Sequence, residues 1–139
     1  DKPIVGSDAW GSADLIKLAG DSVKGYFFST HYAAAGAQGA TKEFIDRYSA
    51  TYGYVPDDVA ALTWDALGIV IEGLKSLPSL SGNLEKDRTA LKDSISSIES
   101  FAGITGNMKF DAQGDPIKSA VVVKISDKGE FEFVKAVNP

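Results

Sequence analysis

An α/β fold is predicted for this chain of 139 residues by three observations. Short β-rich apolar runs alternate with longer stretches whose apolar residues recur at helical spacing. Gly, Pro, Asp and Ser punctuate nearly every change between the two patterns. The chain closes on two apolar runs separated by a glycine-containing turn, the mark of a β-hairpin.

The elements follow in order. Ile4-Val5 reads as the end of a buried strand, Gly6 and Gly11 allow a tight turn, and Ser12 is placed to cap a helix over Ala13 to Ala19. Gly20-Asp21 turns the chain into a second β-rich run, Val23 to Thr30. The small residues from Ala33 to Gly39 loosen the backbone before a helix opening at Thr41, on which Phe44, Ile45, Tyr48 and Tyr52 share a face and which Gly53 stops. Pro56-Asp57-Asp58 signals a new helix start, and Val59 to Leu74 is apolar on most faces, which predicts a buried helix. Ser76 to Asn83 is a connection, after which Leu84, Leu91, Ile95 and Ile98 mark an amphipathic helix. A single glycine-bounded strand is expected over Gly103 to Asp111, then a turn through Pro116, and Ala120 to Ile125 with Phe131 to Val137 form the closing hairpin around Ser126-Asp127-Lys128-Gly129.

Composition removes several classes of function. An apolar content of 44% suits an ordinary globular domain. Fourteen basic against nineteen acidic residues leave a net charge of -5, with no Lys/Arg cluster, so nucleic acid is not an expected partner. The absence of cysteine excludes disulfides, thiolate metal sites and Cys nucleophiles. No apolar run reaches the roughly 20 residues that span a bilayer, and Asp1-Lys2-Pro3 does not open a signal peptide, so any export signal is expected upstream. No phosphate-cradling glycine loop and no nucleophile elbow occurs, and His31 is the single histidine, so neither a catalytic residue, a cofactor nor a metal site is expected.

The stretch from Val5 to Ser12 is the best local candidate for a ligand site, because a lone carboxylate, Asp8, lies between a strand end and a helix start beside Trp10. The same residues have a plainer use: Asp8 as an acceptor for turn N–H groups and Trp10 as packing. Two further acid pairs, Asp57-Asp58 and Asp111 with Asp115, stand at a helix start and a turn, where backbone hydrogen bonding accounts for them.

The order of five segments adds to this reading. G-S-D-A-W-G-S-A-D-L, K-G-Y-F-F-S-T-H-Y, F-I-D-R-Y-S-A-T-Y-G-Y-V-P-D-D-V-A-A-L-T-W-D-A, F-A-G-I-T-G-N-M-K-F-D-A-Q-G-D and the closing hairpin together resemble the type I periplasmic solute-binding proteins, most nearly the branched-chain amino acid and amide-binding subfamily of ABC importers. One departure is Trp64, which stands before Asp65 where many relatives carry Tyr.

The resemblance implies the C-terminal part of a two-lobed type I periplasmic-binding-protein fold, with three-layer α/β/α lobes, incomplete without its N-terminal part. Residues 1–30 would belong to the second lobe and supply a hinge strand, 31–117 to the first lobe, and 118–139 to the second again. It implies a small amino acid or related amide as ligand, a branched-chain amino acid above all, and a membrane ABC permease as partner, with a periplasmic or extracytoplasmic location and no catalysis. By the same resemblance Asp8 takes the ligand's α-ammonium, a charge-assisted contact that selects amines over plain acids. Trp10 is either a wall of the cleft or a packing residue, and His31 and Tyr32 near the hinge either line the cleft or pack within it. A chain supplying pieces of two lobes leaves sheet edges and the apolar face of Val59 to Leu74 bare, so the missing N-terminal segment or a swapped copy is expected to cover them. A ligand-binding sensor domain of the same fold is the alternative reading; an enzyme, lacking any pairing of nucleophile and base, is a distant third.

Overall fold

The structure, a computed structural model, describes residues 4–139. Asp1 to Pro3, the first residues of the expected segment 1–30, lie outside the described residues.

Strand β1 (Val5–Gly6) leads through a one-turn 3-10 helix (Asp8–Trp10) into helix α1 (Ala13–Ala19) and returns as β2 (Phe27–Thr30), parallel to β1. Ser12 caps α1 as its chemistry predicts, its hydroxyl accepting from the Asp14 N–H at 3.2 Å. The β-rich run is shorter than the sequence suggests. Gly20–Val23 forms a second 3-10 turn, and Gly25 at φ +82° bends the chain so that regular pairing begins only at Phe27. Val23 is nonetheless buried, so its apolar character reports burial and not strand.

Three helices follow: α2 (Gly39–Tyr52), α3 (Asp58–Lys75) and α4 (Leu84–Ser96). Helix α2 starts two residues before Thr41 and ends on Gly53 in the left-handed conformation at φ +81°, whose N–H reaches the Ser49 carbonyl at 2.8 Å. Asp57 caps α3 through the Ala60 N–H at 2.8 Å, and Asn83 caps α4 through Lys86 N–H at 3.1 Å.

The expected strand over Gly103 to Asp111 is two strands. Phe101–Gly103 (β3) and Gly106–Phe110 (β4) form a tight hairpin about Ile104-Thr105, and Pro116–Lys118 (β5) adds to the far side of β4. Gly106 at φ +112° accepts a backbone conformation closed to other residues, and Asp65 holds the turn from beneath. Strands β6 (Ala120–Ile125) and β7 (Phe131–Val137) close the chain, giving a four-stranded sheet of order β1-β2-β6-β7 and a three-stranded sheet of order β3-β4-β5.

The apolar side chains gather into two cores. Val23, Phe28, Val123 and Ile125 form one, between the four-stranded sheet and α1, with Phe131 meeting Phe28 edge-on at 5.1 Å. Tyr32, Phe44 and Ala61 form the other, among α2, α3 and the Ile104 turn. The chain passes between them at Thr30 to Tyr32.

Helix α3 is buried along one stripe only, and the rest of its apolar surface is bare, as expected for this chain taken by itself. Its buried stripe is Ala61, Asp65, Ile69 and Gly73, while Val59, Trp64, Leu67, Ile71 and Leu74 are exposed. The small residues are what let neighbours approach. A Cβ on Gly68 would stand 2.7 Å from the Phe101 ring, and one on Gly73 2.8 Å from Ile95. The large residues form an open face beside α2, where Phe44 and Trp64 lie 5.3 Å apart at one end of an aromatic row that continues through Tyr48, Tyr52 and Tyr54. Five large apolar residues on one uncovered stripe exceed the scattered apolar exposure of ordinary surfaces.

Candidate functional site

The junction of the two cores is where the chemistry collects. Asp8 opens its 3-10 turn, its carbonyl accepting from the Gly11 N–H at 2.9 Å, and its carboxylate is exposed. Its Oδ2 lies 3.6 Å from Nε2 of His31, which follows β2 directly. Trp10 turns back: its indole closes over Gly6, where any Cβ would collide with the ring, and lies 6.5 Å from Phe28. It lines neither of the two cavities at this junction.

The first cavity, about 280 Å³, opens between the four-stranded sheet and the start of α3. Phe28, Val123 and Phe131 supply its apolar wall, while Thr30, Tyr32, Asp57 and Asp58 supply its polar groups. The second, about 200 Å³, lies on the other side of the crossing and is lined by His31, Tyr32, Thr41 and Thr105 among others. Of the four residues singled out in the sequence, the structure thus pairs Asp8 with His31, sets Tyr32 between both cavities, and gives Trp10 to packing beneath the turn.

Tyr32 is 7% exposed and its hydroxyl has no hydrogen-bond partner among the described residues. Burial, with a smaller contribution from the charge of Asp57, pushes its pKa up to about 12, so it is a neutral hydroxyl at any physiological pH. Tyr48 is also raised to about 12, chiefly through its hydrogen bond with Tyr54. Because the folded Tyr32 holds its proton more tightly than an unfolded tyrosine, the associated stability is complete below pH 10.0 and disappears as the pH rises through about 12. An alkaline absorbance titration is expected to show one fewer late tyrosinate in Tyr32→Phe. A titration superimposable on that of the parent would contradict this placement.

Thr30 and Asp58 line the first cavity, a place the sequence reading did not give them. Thr30 is 3% exposed with an unpartnered hydroxyl. Asp58 was assigned to the helix start along with Asp57; Asp57 makes the cap to Ala60, and the Asp58 carboxylate in the first turn also faces Gly11, so closely that a Cβ there would stand 2.9 Å from Oδ2. Burial, the largest influence, raises the Asp58 pKa, and the charge of Asp57 adds to it; backbone N–H groups and His31 act in the opposite direction. The doubled acid after Pro56 was the available signal, since one cap needs one carboxylate. Asp111, by contrast, spends its Oδ1 on the N–H groups of Gln113 and Asp115 at 2.9 and 2.8 Å, as its turn position predicts.

A family model described as periplasmic binding protein matches residues 2–130. The chain belongs to the periplasmic binding protein family. Among solved structures it is similar to a leucine-binding protein from Thermotoga maritima, with 30% identity and a TM-score of 0.84 over 98% of this chain and 37% of that one. It is also similar to a branched-chain amino acid transporter substrate-binding protein from Streptococcus pneumoniae solved with isoleucine, with 26% identity and a TM-score of 0.82 over 100% of this chain and 38% of that one. A branched-chain amino acid ABC transporter protein from Rhodospirillum rubrum follows at 27% identity and a TM-score of 0.74, covering 95% and 37% of the two chains. A comparison with curated protein sequences returns no match. The chain therefore spans a little over a third of the length of its solved relatives. The family is one of solute-binding proteins and not of enzymes, in agreement with the sequence.

Proposed function

We propose that this chain is part of an extracytoplasmic solute-binding protein of an ABC importer, which encloses a small amino acid, a branched-chain one above all, between two lobes and presents it to a membrane permease. The observation that carries the reading is the position of Asp8, an outward carboxylate at the junction of two separate cores, on the loop between a strand and a helix. The sequence-similar relatives named for leucine and for branched-chain amino acids supply the ligand class.

In this reading the core built on residues 1–30 and 118–139 is one lobe, residues 31–117 belong to the other, and Thr30 to Tyr32 is a hinge crossing. Asp8 receives the ligand's ammonium, displacing its long contact to His31; His31 and Tyr32 line the cleft, and Trp10 braces the Asp8 turn. Closure then stabilises the bound state because groups from both lobes reach one ligand, a contact the open form lacks. The missing N-terminal segment, or a swapped copy of it, covers the open face of α3.

Calorimetric titration of the complete two-lobed protein with leucine, isoleucine, valine and small amides tests the proposal. Binding of one amino acid is expected, and Asp8→Ala is expected to weaken it about ten- to a hundredfold, the value of one charge-assisted hydrogen bond. Failure of every amine to bind would discard the reading.

A further inference from the structure

We propose that Gly11 sets how far the two lobes close: its bare Cα is the surface on which the Asp58 carboxylate, at the start of α3, comes to rest, so a side chain at position 11 would prop the cleft open. The inference rests on the proposed two-lobed solute-binding reading and adds to it the place where the lobes meet.

The backbone does not require glycine here. Gly11 ends the 3-10 turn at φ -70° and ψ 13°, a conformation open to any L-residue, and its N–H donates to the Asp8 carbonyl as that of any residue would. The constraint is space. A Cβ on Gly11 would stand 2.9 Å from Oδ2, 3.0 Å from Cγ and 3.2 Å from Oδ1 of Asp58, so the whole carboxylate faces this one point. Gly6, Gly68, Gly73 and Gly103 are also crowded, but by Trp10, Phe101, Ile95 and Asp65, side chains of the same proposed lobe in each case. Among the described residues, Gly11 alone is crowded this closely by a side chain from the other lobe.

The two sides of the contact belong to separate cores. Gly11 follows Trp10, which packs on the core of Val23, Phe28, Val123 and Ile125, whereas α3 contributes Ala61 to the core of Tyr32 and Phe44. Between the cores lies the cavity of about 280 Å³ that Gly11 and Asp58 both line, so the contact stands at its wall. The α3 side is fixed in place: Pro56 is buried, Asp57 caps the helix through the Ala60 N–H at 2.8 Å, and Asp65 ties the next turns to the β3–β4 hairpin. What would have to yield to a side chain at position 11 is therefore a short carboxylate on a capped first turn, not the far end of a long, flexible chain. Overpacking such a contact shifts the lobes toward the form in which it is not made, and affinity falls with the closed fraction.

The test uses Gly11→Ala, Gly11→Val, Asp58→Ala and the double variant Gly11→Val with Asp58→Ala in the complete protein, each confirmed folded by its thermal melt and titrated calorimetrically with leucine, isoleucine and valine. Closure is read separately, as the distance between spin labels on Lys17→Cys in α1 and Lys92→Cys in α4, both exposed positions. Gly11→Val is expected to weaken the amino acid that the parent binds about ten- to a hundredfold, Gly11→Ala less, and the label distance with that amino acid present is expected to stay longer than in the parent. In the double variant, where the carboxylate is gone from the contact, affinity and distance are expected to return to those of Asp58→Ala alone. Closure of Gly11→Val to the parent distance with unchanged affinity would overturn the proposal and leave the solute-binding reading standing. An equal loss with and without the Asp58 carboxylate would also overturn it, since the substitution would then act on the Asp8 turn by itself. No binding of any of the three amino acids by the parent would overturn the reading and the proposal together.

Discussion

Asp65→Ala is expected to lower stability by about 3–5 kcal/mol. Asp65 lies in the middle of α3, only 2% exposed, and accepts from the N–H of Ile104 at 2.8 Å, the N–H of Thr105 at 2.9 Å and the Thr105 hydroxyl at 2.6 Å. The Thr105 oxygen in turn accepts from Lys118 Nζ at 2.6 Å, while the Ile104 carbonyl accepts from the Thr41 hydroxyl at 2.7 Å. One carboxylate therefore ties α3 to the β3–β4 turn and, through that turn, to α2 and β5. Alanine would leave two backbone N–H groups, one part-buried and one buried, without their acceptor and remove the negative charge beside Lys118, whose pKa burial lowers and Asp65 raises. Asparagine restores one acceptor but turns an amide donor toward a backbone donor, so Asp65→Asn is expected to recover only part of the loss. Urea unfolding followed by circular dichroism measures both. A loss below about 1 kcal/mol for Asp65→Ala would mean that the turn forms without its clasp.

The same residue shows where sequence reading stops. Trp64-Asp65-Ala66 is legible as part of a helix, and a polar residue within an apolar run is legible as structural. Its partners are not, because Ile104 and Thr105 lie some forty positions away, as the separations of 39 and 40 residues record. That distant clasp is also why one expected strand is two: Gly103 and Gly106 bound a hairpin whose turn exists because Asp65 receives it. Local chemistry fared better. The caps at Ser12 and Asp57, the stop at Gly53 and the closing hairpin all depend on neighbours within a few residues, and all stand where the residue types place them.

At the site, Asp8 was conspicuous because it is isolated between an apolar strand end and a helix start. Asp58 was not, because its neighbour Asp57 supplies a complete reason for an acid at that place. Only in three dimensions does the Asp58 carboxylate stand apart from that of Asp57, against Gly11. Trp10 was open between a wall of the cleft and a packing residue on sequence, and its ring lies over Gly6. Helix α3 was read both as a buried helix and as one whose apolar face this chain leaves bare, and the second holds here. Hydrophobicity on all faces predicts burial but says nothing of which chain does the burying.

Leu67→Asp tests that last point and is expected to cost the complete protein about 3 kcal/mol or more, although Leu67 is 57% exposed here. Leu67 sits at the centre of the open stripe on α3, with Trp64 on one side and Ile71 on the other, above a groove that also takes in Tyr48 and Tyr52. A truly solvent-facing leucine changes stability by no more than about 0.5 kcal/mol when replaced by a polar residue. A leucine covered by the rest of the polypeptide must instead bury an unpaired carboxylate. The two cases differ severalfold in free energy, well beyond measurement error. In the chain of 139 residues alone, the substitution is expected to leave the melting temperature almost unchanged and to reduce self-association, since the exposed stripe is what one copy would offer another. Equal, small effects in the chain and in the complete protein would show that the stripe faces water in both, and that the cover proposed for it does not exist.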